Sequence, residues 1–116
     1  KTYRCVVWIS RPITDEDIAK LNALKEVVLA QLTPVRVLHR RTLSTRKKSI
    51  HSVHCERISN RFMIVDLLTQ AGTYVKEFIH GDLGRTTPDL GSLLGPGIEA
   101  DILQLDVTNI ELAILD

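Results

Sequence analysis

Lys76 stands in the stretch AGTYVKEFIHGDLGRT, residues 71–86, just past Gly72 and Thr73. Those two residues read as a turn and a helix N-cap. A lysine in the first turn of a helix meets the positive end of the helix dipole. That position costs from a few tenths to about 1 kcal/mol unless an anion holds the ammonium. Two readings stay open on this ground: an exposed lysine that is merely tolerated, and a lysine that pairs with a carboxylate or a phosphate. A nucleotide-binding P-loop does not fit. Its lysine follows a glycine and precedes Ser or Thr, whereas Lys76 lies between Val75 and Glu77.

The second chemically suggestive stretch is VRVLHRRTLSTRKKSIH, residues 35–51. It reads either as a solvated ribbon or as a contact surface for a nucleic-acid backbone. Arginine suits the second role because its planar fork matches phosphate oxygens, and each neutralised phosphate releases counterions. His51, His54 and Cys55 lie close enough in sequence to raise zinc. On a strand, however, the two histidines point to opposite faces, and no second ligand cluster follows, so no metal site is assigned. There is no GxSxG, no HExxH and no obvious acidic dyad.

The 116 residues suit one domain or a piece of a larger protein, and 44% hydrophobic with 25% charged residues is an ordinary globular balance. No apolar run approaches the roughly 20 residues of a membrane span. The chain opens without an initiator Met or a leader pattern, which reads as a segment cut from something longer. Cys5 and Cys55 form no disulfide framework or CxxC knuckle and read as reduced, buried thiols of an intracellular protein, cytoplasmic or nuclear. Net charge is only +1 but uneven. No acidic residue lies between Glu26 and Glu56, where Arg36, Arg40, Arg41, Arg46, Lys47 and Lys48 fall, and no Lys or Arg follows Arg85. A basic middle on a nearly neutral chain implies a local anionic partner.

The elements that must position these groups follow from periodicity. Thr2 to Ser10 reads as a strand ended by Pro12. Thr14 with Asp17 resembles a capping box, and Ile18, Leu21, Leu24 and Val28 recur at helical spacing, which predicts a helix over 15–31. Val35 to Arg40 reads as a short strand, LSTRKK as a loop or ribbon tip, and Ser49 to Ile58 with Arg61 to Thr69 as a hairpin through Ser59-Asn60. A helix is expected from Tyr74 to about Leu83, stopped by Gly84, then a Gly/Pro-rich loop with a turn at Leu90 to Leu94, then a strand from Asp101 to Leu115. The order β-α-β-β-β-α-β predicts an α+β fold, a mixed and largely antiparallel sheet with two main helices.

KTYR from Lys1, QLTPVRVLHRR from Gln31, AGTYVKEFIHGDLGRT and ADILQLDV from Ala100 together resemble, in order and over essentially the whole chain, the tRNA pseudouridine synthase 10 family. The resemblance implies that residues 1–116 are the C-terminal portion of a pseudouridine synthase catalytic domain. The parent enzyme would isomerise uridine to pseudouridine in the TΨC arm of tRNA, with tRNA as partner and no metal, small-molecule cofactor or membrane. By position, Tyr3 resembles the family's active-site tyrosine, which stacks on the flipped uracil and is a candidate base. Lys76 resembles the basic residue that pairs with the catalytic aspartate, and Leu105 the apolar residue that packs on the target base. The resemblance sets Arg36, His39, Arg40 and Arg41 beside the substrate and supports Arg46, Lys47 and Lys48 as RNA-binding. The family's catalytic aspartate lies upstream of the tyrosine, in an arginine-flanked loop that this sequence does not contain. Asp66 and Asp82 are not substitutes for it. The expectation is therefore a fragment that is inactive alone. The alternative is a non-catalytic RNA-binding module that uses the basic ribbon 36–48.

Overall fold

Eight residues at the start of the chain, Thr2–Ile9, form β1, with Cys5, Val7 and Ile9 fully buried and the intervening side chains less so. The alternation is that of a strand with one face in a core. The computed structural model describes residues 1–38 and 44–108. Within them follow α1 (Asp15–Asn22), β2 (Lys25–Leu32), a single 3-10 turn at Val35–Val37, β3 (Thr45–Arg57) and β4 (Phe62–Thr69). Then come α2 (Val75–His80), a second 3-10 turn at Asp82–Gly84, the two-residue β5 (Thr86–Thr87), α3 (Leu90–Leu94) and β6 (Ala100–Thr108). The strands form one sheet in the order β5-β2-β3-β4-β1-β6, and every strand pair among the described residues is antiparallel. The fold is α+β, as expected. α1 packs over β3, α2 over β6, and α3 touches both helices, so the helices make one layer on one face. The core of Cys5, Val7, Leu29, Ile50, Val53, Cys55, Val65, Leu67, Phe78 and Ile79 lies between that layer and the sheet.

The predicted helix over 15–31 is corrected by the structure. It ends at Asn22, and Lys25–Leu32 is a strand. Ile18, Leu21 and Leu24 keep helical spacing, but the inward residues beyond them are Leu29 and Gln31, two apart, and Val28 is 56% exposed on the other face. A ladder with β3 decides the outcome, because strand pairing satisfies the backbone of a segment that carries Val27 and Val28 side by side. The same misreading carried its partner with it. Thr45 to Lys48, expected as loop or ribbon tip, are the first residues of β3 and pair with Leu32 to Leu29. Val35–Val37 is a 3-10 turn where a strand was expected, and Leu90–Leu94 is a short helix where a turn was expected. α2 stops earlier than Gly84. Gly81 takes the left-handed conformation (φ 84°), and its N–H bonds the Glu77 carbonyl at 2.7 Å. A Cβ at residue 81 would come within 2.3 Å of Asp89 Oδ2.

The capping box is real. Asp17 N–H donates to Thr14 Oγ1 at 3.1 Å, and Thr14 N–H donates to Asp17 Oδ2 at 2.9 Å. Arg11 Nη2 also donates to Asp17 Oδ1 at 2.8 Å. At the far end of α1, Asn22 bonds both backbone groups of Cys55, accepting from its N–H at 2.7 Å and donating to its carbonyl at 3.3 Å, which seats the helix on β3. The guanidinium of Arg11 first, and the Thr14 bonds after it, hold the Asp17 carboxyl far below the usual carboxylate range. A depressed folded value means that its stabilisation is present above the unfolded Asp value of about 3.9 and is lost as pH falls below it. Asp17→Ala is expected to cost about 2 kcal/mol at neutral pH and to flatten the pH dependence of stability below about pH 4, measured by urea unfolding at several pH values.

Candidate active site and basic surface

Residues directly opposite in an antiparallel pair point to the same face, which fixes where the predicted site residues lie. Tyr3, half-buried, stands opposite Leu67 of β4 and Val107 of β6, and Cys5 stands opposite Leu105. Because Leu67 and Cys5 are core residues, Tyr3 and Leu105 share the helix-bearing face. A register shift between Val6 and Val7 inserts Leu103 as an extra residue on β6. Ile102 and Leu105, three apart in sequence, consequently both face the helices, while Leu103 is 61% exposed.

Lys76 is the second residue of α2, exposed, and has no hydrogen bond or ion pair to any described residue. With Ile102, Leu103, Gln104 and Leu105 it lines an open cavity of about 300 Å³. The structure thus brings Lys76 and Leu105 together. Tyr3 lies on the same face, on the strand beside Leu105, but does not line that cavity.

Two carboxylates that might have answered Lys76 are committed elsewhere. Asp66 is on the opposite face of the sheet and takes Arg4 Nε at 2.8 Å and Nη2 at 3.1 Å. Asp82 Oδ2 accepts the Val35 N–H at 2.9 Å. Both carboxylates are thus engaged away from Lys76. The thiols of Cys5 and Cys55 are pushed up to about 12, chiefly by burial, so both are neutral core groups at physiological pH. His51 pairs with Glu26 at 2.9 Å.

The start of α2 is set by residues that sequence reasoning passed over. Tyr74, not Thr73, is the N-cap, and its side chain makes no capping bond. The cap comes from β2. Buried Gln31 accepts the Tyr74 N–H at 3.0 Å, donates to the Tyr74 carbonyl at 2.9 Å, and donates to Thr86 Oγ1 at 3.3 Å. Thr73 Oγ1 instead closes the turn onto the Gln70 carbonyl at 2.6 Å. Gly72 has φ 83°, and Lys48 Nζ lies 3.2 Å from where its Cβ would be. Glu77, 1% exposed, receives Arg36 Nε at 2.8 Å and Nη2 at 3.3 Å, and the Arg36 guanidinium sits 5.8 Å from the centre of the Tyr74 ring. Glu77 raises the Arg36 value above that of a free guanidinium. Arg85 Nε donates to the Thr33 carbonyl at 2.8 Å. A polar residue inside an apolar run was the available signal for Gln31, which interrupts Val27 to Leu32; Glu77, after Lys76, gave none.

The basic set divides. Lys48 stands opposite buried Leu29, and Arg46 opposite buried Gln31, so both belong to the face of Lys76. Lys48 Nζ donates to the Ala71 carbonyl at 3.1 Å. Lys47, opposite Ala30, points to the other face. Arg36 is spent on Glu77 at one edge of its fork, with its side chain half exposed. His39, Arg40 and Arg41 lie outside the described residues.

A family model described as Pus10, C-terminal, matches residues 1–111. The mouse protein named tRNA pseudouridine synthase Pus10 is 48% identical over 111 residues, which cover 96% of this chain and 21% of that protein. A protein of the same name from the archaeon Thermofilum pendens is 42% identical over 112 residues, covering 96% of this chain and 25% of that one. The chain therefore spans about a quarter or less of the length of these relatives. Among solved structures, a chain in the crystal structure of a Cbf5-Nop10-Gar1 complex superposes with a TM-score of 0.65 at 22% identity, over 90% of this chain and 28% of that one. That likeness bears on the fold alone.

Gln31→Met keeps the volume of the side chain and removes its amide, leaving the Tyr74 backbone unpaired under β2. The expected cost is about 2 kcal/mol in urea unfolding, with faster amide exchange at Tyr74 than in the parent.

Proposed function

The chain belongs to the Pus10 C-terminal family, and on that premise we propose that it is the segment of a tRNA pseudouridine synthase that holds the target uracil and orients the catalytic aspartate. The observation that carries this reading is the free ammonium of Lys76 above a cavity lined by Leu105, on the face that also bears Tyr3. A lysine at the head of a helix with no partner of its own is suited to pair with an arriving carboxylate, to keep it ionised and to fix its direction. The aspartate comes from a part of the longer protein that precedes Tyr3, so residues 1–116 alone are inactive. The target nucleotide, in the TΨC arm, is turned out of its stack into the cleft. Leu105 packs on the uracil and Tyr3 stacks against it. The aspartate assists at the ribose carbon, the bond to N1 breaks, the base turns, and the same carbon bonds to C5. The C5 proton leaves and N1 gains one, so the isomerisation balances without cofactor or metal. The reaction is intracellular.

RNA is held on the same side. Arg46 and Lys48 project from β3 to the face of Lys76, and backbone phosphates beside the cavity are their complement. That placement also favours the narrower reading of an RNA-binding module, which the catalytic test separates from the enzyme.

In the full-length protein, Lys76→Met is expected to lower release of the uridine C5 hydrogen on the order of a hundredfold or more while leaving tRNA binding largely intact. Near-normal turnover would remove the role given to Lys76. Tyr3→Phe discriminates its two roles, since retained activity favours stacking over proton removal. For the surface, Arg46→Ala and Lys48→Ala are each expected to reduce the slope of log affinity against log salt by about 1, and Lys47→Ala to leave it nearly unchanged. Equal effects at all three positions would contradict a one-sided RNA face.

A further inference from the structure

Resting on the reading of Lys76 above, we propose that Arg36 is a positioning residue that sequesters the Glu77 carboxylate, so that Lys76 stays available to a carboxylate arriving from elsewhere. Sequence position had grouped Arg36 with the phosphate-binding set. The geometry points to a different use. Glu77 follows Lys76 directly, is 1% exposed, and is the acidic residue of the first turn of α2. Its two oxygens take two donors from one guanidinium, at 2.8 and 3.3 Å, and the same guanidinium rests over Tyr74, the residue that caps the helix. One side chain thus neutralises the carboxylate that follows Lys76 in sequence and packs on Tyr74, the N-cap residue of α2.

An ion pair with a buried carboxylate and a half-exposed guanidinium is poor evidence of stability, because the cost of desolvating the carboxylate offsets much of the attraction. An apolar pair would fill the same space. What the charged pair supplies is a local field. With Arg36 in place, the net charge next to Lys76 is near zero, and a negatively charged aspartate can approach. Without it, a buried and unscreened carboxylate would compete for the ammonium and repel the incoming aspartate. Arg36 also leaves the segment Thr33–Val37 fixed to α2, together with the Val35 N–H on Asp82 and Arg85 on the Thr33 carbonyl. The Arg36 contact therefore ties the entrance of the basic segment to the helix that carries Lys76.

The test compares Arg36→Met with the double variant Arg36→Met, Glu77→Gln in the full-length protein. Arg36→Met is expected to lower kcat about tenfold or more with little change in KM. The double variant should recover at least about threefold of kcat, because the orphaned carboxylate is gone. A phosphate contact would behave otherwise: KM would rise, the salt slope would fall by about 1, and Glu77→Gln would restore nothing. Arg36→Lys guards against a folding defect. It keeps the positive charge that offsets Glu77 and loses only the fork that spans both Glu77 oxygens, so it is expected to keep kcat within about threefold of the parent. An Arg36→Lys kcat as low as that of Arg36→Met would overturn the proposal. A readout independent of turnover is the rate at which an amine-reactive reagent labels Lys76, followed by mass spectrometry. Arg36→Met should slow labelling about threefold or more, since an ammonium drawn toward the unpaired Glu77 carboxylate is less open to the reagent, and the double variant should restore it. An unchanged labelling rate overturns the proposal, and an inactive parent protein with the expected labelling pattern would count against the synthase reading alone.

Discussion

Two segments far apart in sequence, the end of β2 with the turn after it and the start of α2, are joined through two polar side chains that have almost no access to water, Gln31 and Glu77. Gln31 holds both backbone groups of Tyr74, and Arg36 grips Glu77 across the same junction. Buried amides and carboxylates are costly unless every polar atom is answered, so these bonds admit few alternative arrangements. The rest of the site depends on that constraint. It sets where α2 begins, and therefore that Lys76 sits in its first turn above β6. It also sets the course of the chain as it leaves β2 toward the basic residues.

The sheet supplies the other half of the site. Strand order places β1 between β4 and β6, so Tyr3 and Leu105 reach one face from neighbouring strands. The irregularity between Val6 and Val7 lets Ile102 and Leu105 both line the floor under α2 while Leu103 turns to its rim. The molecule uses one device twice. Asn22 answers the N–H and carbonyl of Cys55 as Gln31 answers those of Tyr74, and each amide locks one helix end to a strand. Charge follows the same division. Glu77, next to Lys76 in sequence, is paired with Arg36, whereas Lys76 has no ion pair among the described residues.

Much of this was legible in the residues, for reasons that can be named. The capping box at Thr14 and the glycine turn at Gly72 announce themselves because their chemistry is local. Tyr3, Lys76 and Leu105 were singled out by motif resemblance alone, and the common face of Tyr3 and Leu105 follows from strand pairing that no single segment encodes. The helix expected over 15–31 failed because Ile18, Leu21 and Leu24 satisfy helical spacing up to the point where pairing with β3 takes over. That error hid the strand character of Arg46 to Lys48 as well, since a strand without a visible partner reads as a loop. The division of the basic residues between two faces was invisible for the same reason. Nothing local marks Glu77 as buried, because a carboxylate in an amphipathic helix usually lies on its surface. Its burial depends on Arg36, which stands 41 positions earlier.

The most direct measurement is a structure of the longer protein containing this segment, read at a single atom, Lys76 Nζ. The expected result is an aspartate carboxylate from outside residues 1–116 within about 4 Å of that nitrogen, with Arg36 still on Glu77. A Lys76 that pairs with Glu77 instead, or that faces solvent with the aspartate placed elsewhere in the cleft, would contradict the role assigned to it.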